Sequence, residues 1–143
     1  MQNLSPARLY ALIFGTVLVV AGIIGFFYES EFTDNESVRD AVFGILDVNG
    51  WHNVVHILSG ALGLLVASSY GGARVYAIGL GLIYLLLALV GFLAGDGDEI
   101  VNLVPVNTED NFLHLLIGTA GVSAGLATPA TEAPSTDTRP AAA

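Results

Sequence analysis

Four apolar blocks divide the chain. The first runs from Leu9 to Tyr28 without a charge, and the second from about Val54 to Ser69, preceded by Trp51 and His52. The third runs uncharged from Val75 to Gly95, and the fourth from Phe112 to Ala127, with His114 inside it. Blocks one and three reach the ~20 residues that a helix needs to cross roughly 30 Å of hydrocarbon at 1.5 Å per residue. Blocks two and four are shorter. They span when their polar first turns, Asn53–His56 and Asn111–His114, count as the outer end; a re-entrant or interfacial helix is the alternative. Unpaired backbone is too costly in lipid, so each block predicts a helix. The first block exceeds the ~7–15 apolar residues of a signal peptide and is followed by Glu29-Ser30-Glu31 rather than small residues. It therefore predicts a retained membrane anchor.

Composition sharpens this pattern. Of 143 residues 54% are apolar and only 12% charged, against about 25% charged in soluble domains. There is no cysteine, which excludes disulfides, thiolate metal sites and a cysteine nucleophile. A net charge of −9 with four arginines and no lysine argues against nucleic acid, whose phosphates need clustered cations. The arginines also suggest an orientation. Arg8 is read as lying just before helix 1 and Arg74 in a short turn, Tyr70–Arg74, before helix 3. By the positive-inside tendency, both mark the cytoplasmic side together with both termini. The predicted location is thus a cytoplasmic membrane, with the lipid bilayer as the main partner.

The chain resembles itself. Arg8-Leu-Tyr10-Ala11 recurs as Arg74-Val-Tyr76-Ala77, 66 residues later. Gly15, Gly22 and Gly25 then match Gly81, Ala88 and Gly91, and Phe26 matches Phe92. Asn49, Asn53, His56, Gly60 and Gly63 recur with identical spacing as Asn107, Asn111, His114, Gly118 and Gly121, at an offset of 58. The smaller offset means that the first outer loop is longer. Each unit holds two helices, so the two units enter the membrane with the same orientation, as parallel repeats. The predicted fold is all-α: a four-transmembrane-helix bundle over residues 1–127, built from tandem hairpins at about 8–69 and 74–127. The matched small residues predict close helix packing, internally or with a second copy or another membrane protein.

The polar residues at the outer ends of helices 2 and 4 form the one site candidate. His52, His56, Gly60 and Gly63 share a helix face, as do Asn111, His114, Gly118 and Gly121. Asn49 and Asn107 stand where N-caps are needed, and Asp110 adds negative charge at the positive end of a helix dipole. The plainest expectation is structural, with each histidine donating to a carbonyl or asparagine of a neighbouring helix and holding the halves in register. His56 and His114 at matched depth could instead ligate one haem iron, or two of the three histidines a zinc or copper ion. A pH- or ion-linked path in a small transporter or channel component is the third reading. No cofactor is the leading expectation.

Catalysis finds little support. Ser59, Ser68 and Ser69 lack a nearby lysine or acid to activate them, and no HExxH, P-loop or strand-borne GxGxxG occurs. Asp96-Gly-Asp98-Glu99 lacks the calcium-loop pattern. The segment Val38–Leu46 is apolar at roughly helical spacing and predicts a short interfacial helix. Its counterpart, Ile100–Pro105, contains a proline that opposes one. Residues 128–143, rich in Ala, Pro and Thr, predict a disordered cytoplasmic tail, with partner docking as the alternative.

The Asn49-Gly-Trp-His-Asn-x2-His56 and Val104-Pro-Val-Asn-Thr-x2-Asn111-x2-His114 motifs, with the opening Arg-x-Tyr-Ala, resemble a bacterial four-helix membrane family, domain of unknown function 4383. The resemblance covers about Leu4 to Ala127. It implies a small multi-pass membrane protein, and it carries no catalytic residues over to this chain.

Overall fold

Ser5 and Pro6 start the first helix earlier than its apolar block suggests. Helix α1 spans Pro6–Gly25, with Ser5 as N-cap accepting the Arg8 amide at 3.4 Å; proline suits the first turn because its missing N–H has no partner there. Arg8 therefore lies inside α1, not before it. In the computed structural model, which describes residues 4–32, 40–94, 99–100 and 103–131, the other helices are α2 (Gly50–Val66), α3 (Tyr70–Ala94) and α4 (Thr108–Ala127). The Tyr70–Arg74 segment is thus the start of α3 rather than a turn, with Ser69 Oγ accepting the Gly72 amide at 3.1 Å. Both arginines reach carbonyls near helix ends: Arg8 Nε donates to Ala67 O at 2.9 Å and Arg74 Nε to Thr128 O at 2.9 Å. Such carbonyls lack intrahelical donors and carry partial negative charge.

Two short antiparallel hairpins, β1 (Asp40–Val42) with β2 (Leu46–Val48) and β3 (Glu99–Ile100) with β4 (Val104–Pro105), lie between the helices. The first replaces the expected interfacial helix at Val38–Leu46, of which Val38 and Arg39 lie outside the described residues. Phe43 (φ 55°) and Gly44 (φ 71°) reverse the chain there, which a helix cannot accommodate. Asp34, Glu36, Asp96 and Asp98 also lie outside the described residues, as does the expected tail from 132 to 143. Thr128, placed in that tail by composition, belongs to the bundle instead. It is fully buried, and its Oγ1 accepts the Ala7 amide at 2.9 Å.

α1 packs mainly against α2, and α3 mainly against α4. Gly15 meets Gly60, and Gly22 and Gly25 meet Asn53, so the first pair runs antiparallel; Gly81 meets Gly118 and Gly91 meets Asn111 in the same sense. A Cβ on Gly60 would lie 2.6 Å from the Gly15 carbonyl, and one on Gly81 2.9 Å from that of Gly118. Only glycine lets the backbones come this close. The glycine faces are therefore used within the chain.

The distribution of polarity is inverted. The interior holds many small residues and tyrosines (Ala7, Ala11, Ala73, Ala77, Tyr10, Tyr76, Tyr84), with Leu18, Val106 and Ile117, together with buried Asn49, His52, Asn53, Asp110, Asn111 and His114. Outward-facing positions on the helices are leucine, isoleucine and valine, with Leu58, Leu65, Leu86 and Leu93 between 58% and 78% exposed. α1 and α3 are long and apolar enough to cross a membrane; α2 is apolar but has only 17 residues.

Candidate functional site

The polar cluster forms where α2 and α4 begin. Asn49 caps α2 by accepting the His52 amide at 2.9 Å, and Asn107 caps α4 by accepting the Asp110 amide at 2.9 Å. Each cap also bonds to the opposite hairpin. Asn49 Nδ2 donates to Leu103 O at 2.8 Å, and Asn107 Nδ2 to Ile45 O at 2.6 Å. The acceptors, like the donors, are 58 residues apart. Asp110 completes a capping box with Asn107 and also accepts the Asp47 amide at 3.0 Å, tying α4 to β2. It lies before the apolar stretch that begins at Phe112. Burial pushes its carboxyl up, to about 7, while the two backbone N–H groups that it accepts pull the other way.

One turn further in, three imidazoles converge. His52 Nε2 and His56 Nε2 lie 3.2 Å apart, and His52 and His114 rings are 6.3 Å apart between centroids. One nitrogen from each of His52, His56 and His114 lies within 4.8 Å of the other two. His52 and His114 are 2% and 5% exposed, and His56 is half-buried. Tyr84 packs edge-on against His114 from α3, at 5.2 Å between centroids. Nδ1 of His114 is buried with no hydrogen-bond partner.

His52 pairs with His56 on its own helix, and the backbone carbonyls of Asp47 and Pro105, outside that helix, also approach its ring. Between the pairs, Tyr10 Oη donates to Ile117 O and Tyr76 Oη to Ser59 O, each at 3.1 Å. Asn53 Nδ2 donates to Glu29 O at 2.8 Å, while its Oδ1, and Oδ1 of Asn111, are buried without a hydrogen bond against Gly25 and Gly91. Spacing alone does not mark the tyrosines as site residues, although Tyr10 and Tyr76 recur in the matched sequence and a buried hydroxyl rarely lacks a partner.

Beside the histidines is a cavity of about 560 Å³, walled by Leu18 and Ile24 of α1, Val42 and Val48 of the first hairpin, and Leu113 and Ile117 of α4. His52, His56, His114 and Asp110 are its polar lining residues apart from Thr16. Ser59, the nearest serine in sequence, donates its hydroxyl to Val55 O at 2.7 Å and to His56 O at 3.1 Å. That hydroxyl is committed to the backbone and not aligned to an imidazole as a nucleophile would be.

Compared with known proteins, the chain matches the family described as Domain of unknown function (DUF4383) over residues 8–127, and it belongs to that family. No curated protein and no solved structure matches it.

Proposed function

We propose that this chain is a multi-pass integral membrane protein of four spans, built from two tandem hairpins, with a structural or accessory role and no catalysis. The inverted polarity carries this reading: asparagines and histidines lie inside and leucines outside. Contiguous apolar surface on this scale is a liability in water and an ordinary exterior in lipid. α2 and α4 support a spanning role by pairing along α1 and α3 through glycine contacts, where an interfacial helix would lie across them. Their polar first turns carry caps, so their open amides are satisfied at the end that meets headgroups.

The tandem-hairpin reading is supported by contacts that recur at matched residues. Tyr10–Ile117 corresponds to Tyr76–Ser59, Asn49–Leu103 to Asn107–Ile45, and Gly25–Asn53 to Gly91–Asn111. A duplicated hairpin would produce this pairwise recurrence. Arg8 and Arg74 at one end support the orientation in which that end is cytoplasmic, in a bacterial cell membrane. No step of this role calls for a cofactor.

Because the chain lacks cysteine, single cysteines test the topology without background. Ser30→Cys is expected to react with a membrane-impermeant maleimide in intact cells. Ser68→Cys, in the exposed turn between α2 and α3, is expected to react only after permeabilisation. Equal labelling of both in intact cells would reject the hairpin arrangement.

A further inference from the structure

We propose that His52, His56 and His114 together hold one divalent first-row transition-metal ion, zinc being the simplest case, whose remaining coordination position faces the cavity between α1 and α4. The proposal goes beyond the membrane role and does not require it.

The donor set defines the class of ion. Three imidazoles with no thiolate suit zinc, copper, nickel or iron, whereas magnesium and calcium take oxygen ligands. The spacing is suitable too. With Zn–N of about 2.0–2.1 Å, the edge of a tetrahedral site is roughly 3.3 Å. His52 Nε2 and His56 Nε2 already stand at 3.2 Å, and the remaining separations, within 4.8 Å, close by side-chain rotation. His52 and His56 are one helical turn apart, the spacing that places two imidazoles on one face. All three converge on one point, as a compact ion requires. A haem macrocycle would need its plane to pass between two of them.

Packing alone gives no reason for this arrangement. Nδ1 of His114 is buried with no hydrogen-bond partner in the protein. The matched positions sharpen the point. Asn49, Asn53 and His56 recur in the second half, but His52 corresponds to Asp110, and Leu18 to Tyr84. A scaffold made of two like hairpins therefore accounts for the asparagines and for the His56–His114 pair, but not for the third imidazole. The smaller Leu18 and the extra imidazole of His52 line the same cavity. The two departures from the matched pattern thus lie at one place and supply what an open metal site needs, a third ligand and room at the fourth position. Three protein ligands with an open position is also the pattern of zinc sites that exchange their fourth ligand. Neutral imidazoles leave the ion's charge uncompensated. Asp110 lines the same cavity, and the acidic chain as a whole favours cation approach.

The test uses the untagged full chain in detergent, stripped with EDTA and then titrated with zinc, with bound metal counted by elemental mass spectrometry. The expected result is one zinc per chain. His52→Asn, His56→Asn and His114→Asn should each weaken binding beyond the roughly 10–100-fold typical of a merely supporting residue. Folded wild-type protein that binds no stoichiometric zinc overturns the proposal, as does His52→Asn with unchanged affinity, or a purified chain carrying a Soret band. If the variants do not fold, cobalt-loaded wild type decides. Visible d–d bands of a tetrahedral nitrogen-rich site support the proposal, and their absence overturns it.

Discussion

The Tyr10 hydroxyl donates to the carbonyl of Ile117, 3.1 Å away on α4. The bond crosses from the first helix pair to the second, and Tyr76 returns it to Ser59 at the same distance. Glycines make room for both rings: a Cβ on Gly63 would lie 2.5 Å from the Tyr76 hydroxyl, and one on Gly121 2.8 Å from that of Tyr10. Tyr10→Phe and Tyr76→Phe should each lower stability by about 0.6 kcal/mol, with an upper bound near 2 kcal/mol, and by similar amounts. Thermal melts in detergent check this; a loss for one and none for the other would deny their equivalence.

Close approach of the helices should be sensitive to single methyl groups. Gly25→Ala drives a Cβ into the Asn53 side chain, whereas Gly79 has open space around it. The expected cost of Gly25→Ala is about 1–3 kcal/mol, as for other overpacked contacts. Gly79→Ala should be neutral or stabilising by up to about 1 kcal/mol, the helix-propensity difference. Unfolding in increasing denaturing detergent separates the two variants.

The caps carry two loads each. Asn49→Ala removes the acceptor for the His52 amide and the donor to Leu103. A cap alone is worth about 0.5–2 kcal/mol, so the loss should lie at or above the top of that range. Asn49→Ser retains a cap acceptor but not the reach to Leu103, and should recover part of the loss. Equal losses for the two variants would show that the cap itself contributes nothing measurable.

Asp110 gives the bundle a pH dependence. Its folded value, about 7, lies above its ordinary 3.8 because burial disfavours the charged form. Between those values the folded state holds a proton that the unfolded state has lost. This contribution is therefore complete below about pH 4, declines as pH rises, and is gone above about pH 7. Melting temperatures should fall across that interval in wild type and change less in Asp110→Asn. Parallel curves for the two proteins would remove Asp110 as the cause.

Much of the helix layout was legible in the sequence, because lipid-length apolar runs and asparagine caps are local signals. The helix starts were less so. Ser5-Pro6 is a start signal, but the uncharged apolar block begins only at Leu9, after Arg8, so hydropathy alone places Arg8 outside α1. Val38–Leu46 carried apolar residues compatible with either helical or strand spacing, and the reversal at Phe43-Gly44 favoured the hairpin. The matched asparagines and glycines were readable in the sequence because both partners of each contact recur there. Convergence of three imidazoles was not legible. His52 has no histidine counterpart, and its distance from His114 depends on how α2 and α4 rotate about their axes, which no single helix encodes.

The inverted bundle is tested most directly by labelling the chain in membranes with a lipid-soluble, photoactivated diazirine and mapping adducts by mass spectrometry. Adducts are predicted on Leu58, Leu65, Leu86 and Leu116, with none on His52, Asn53 or Asn111. Adducts on those three polar residues, with the leucines unlabelled, would contradict a polar interior enclosed by an apolar exterior.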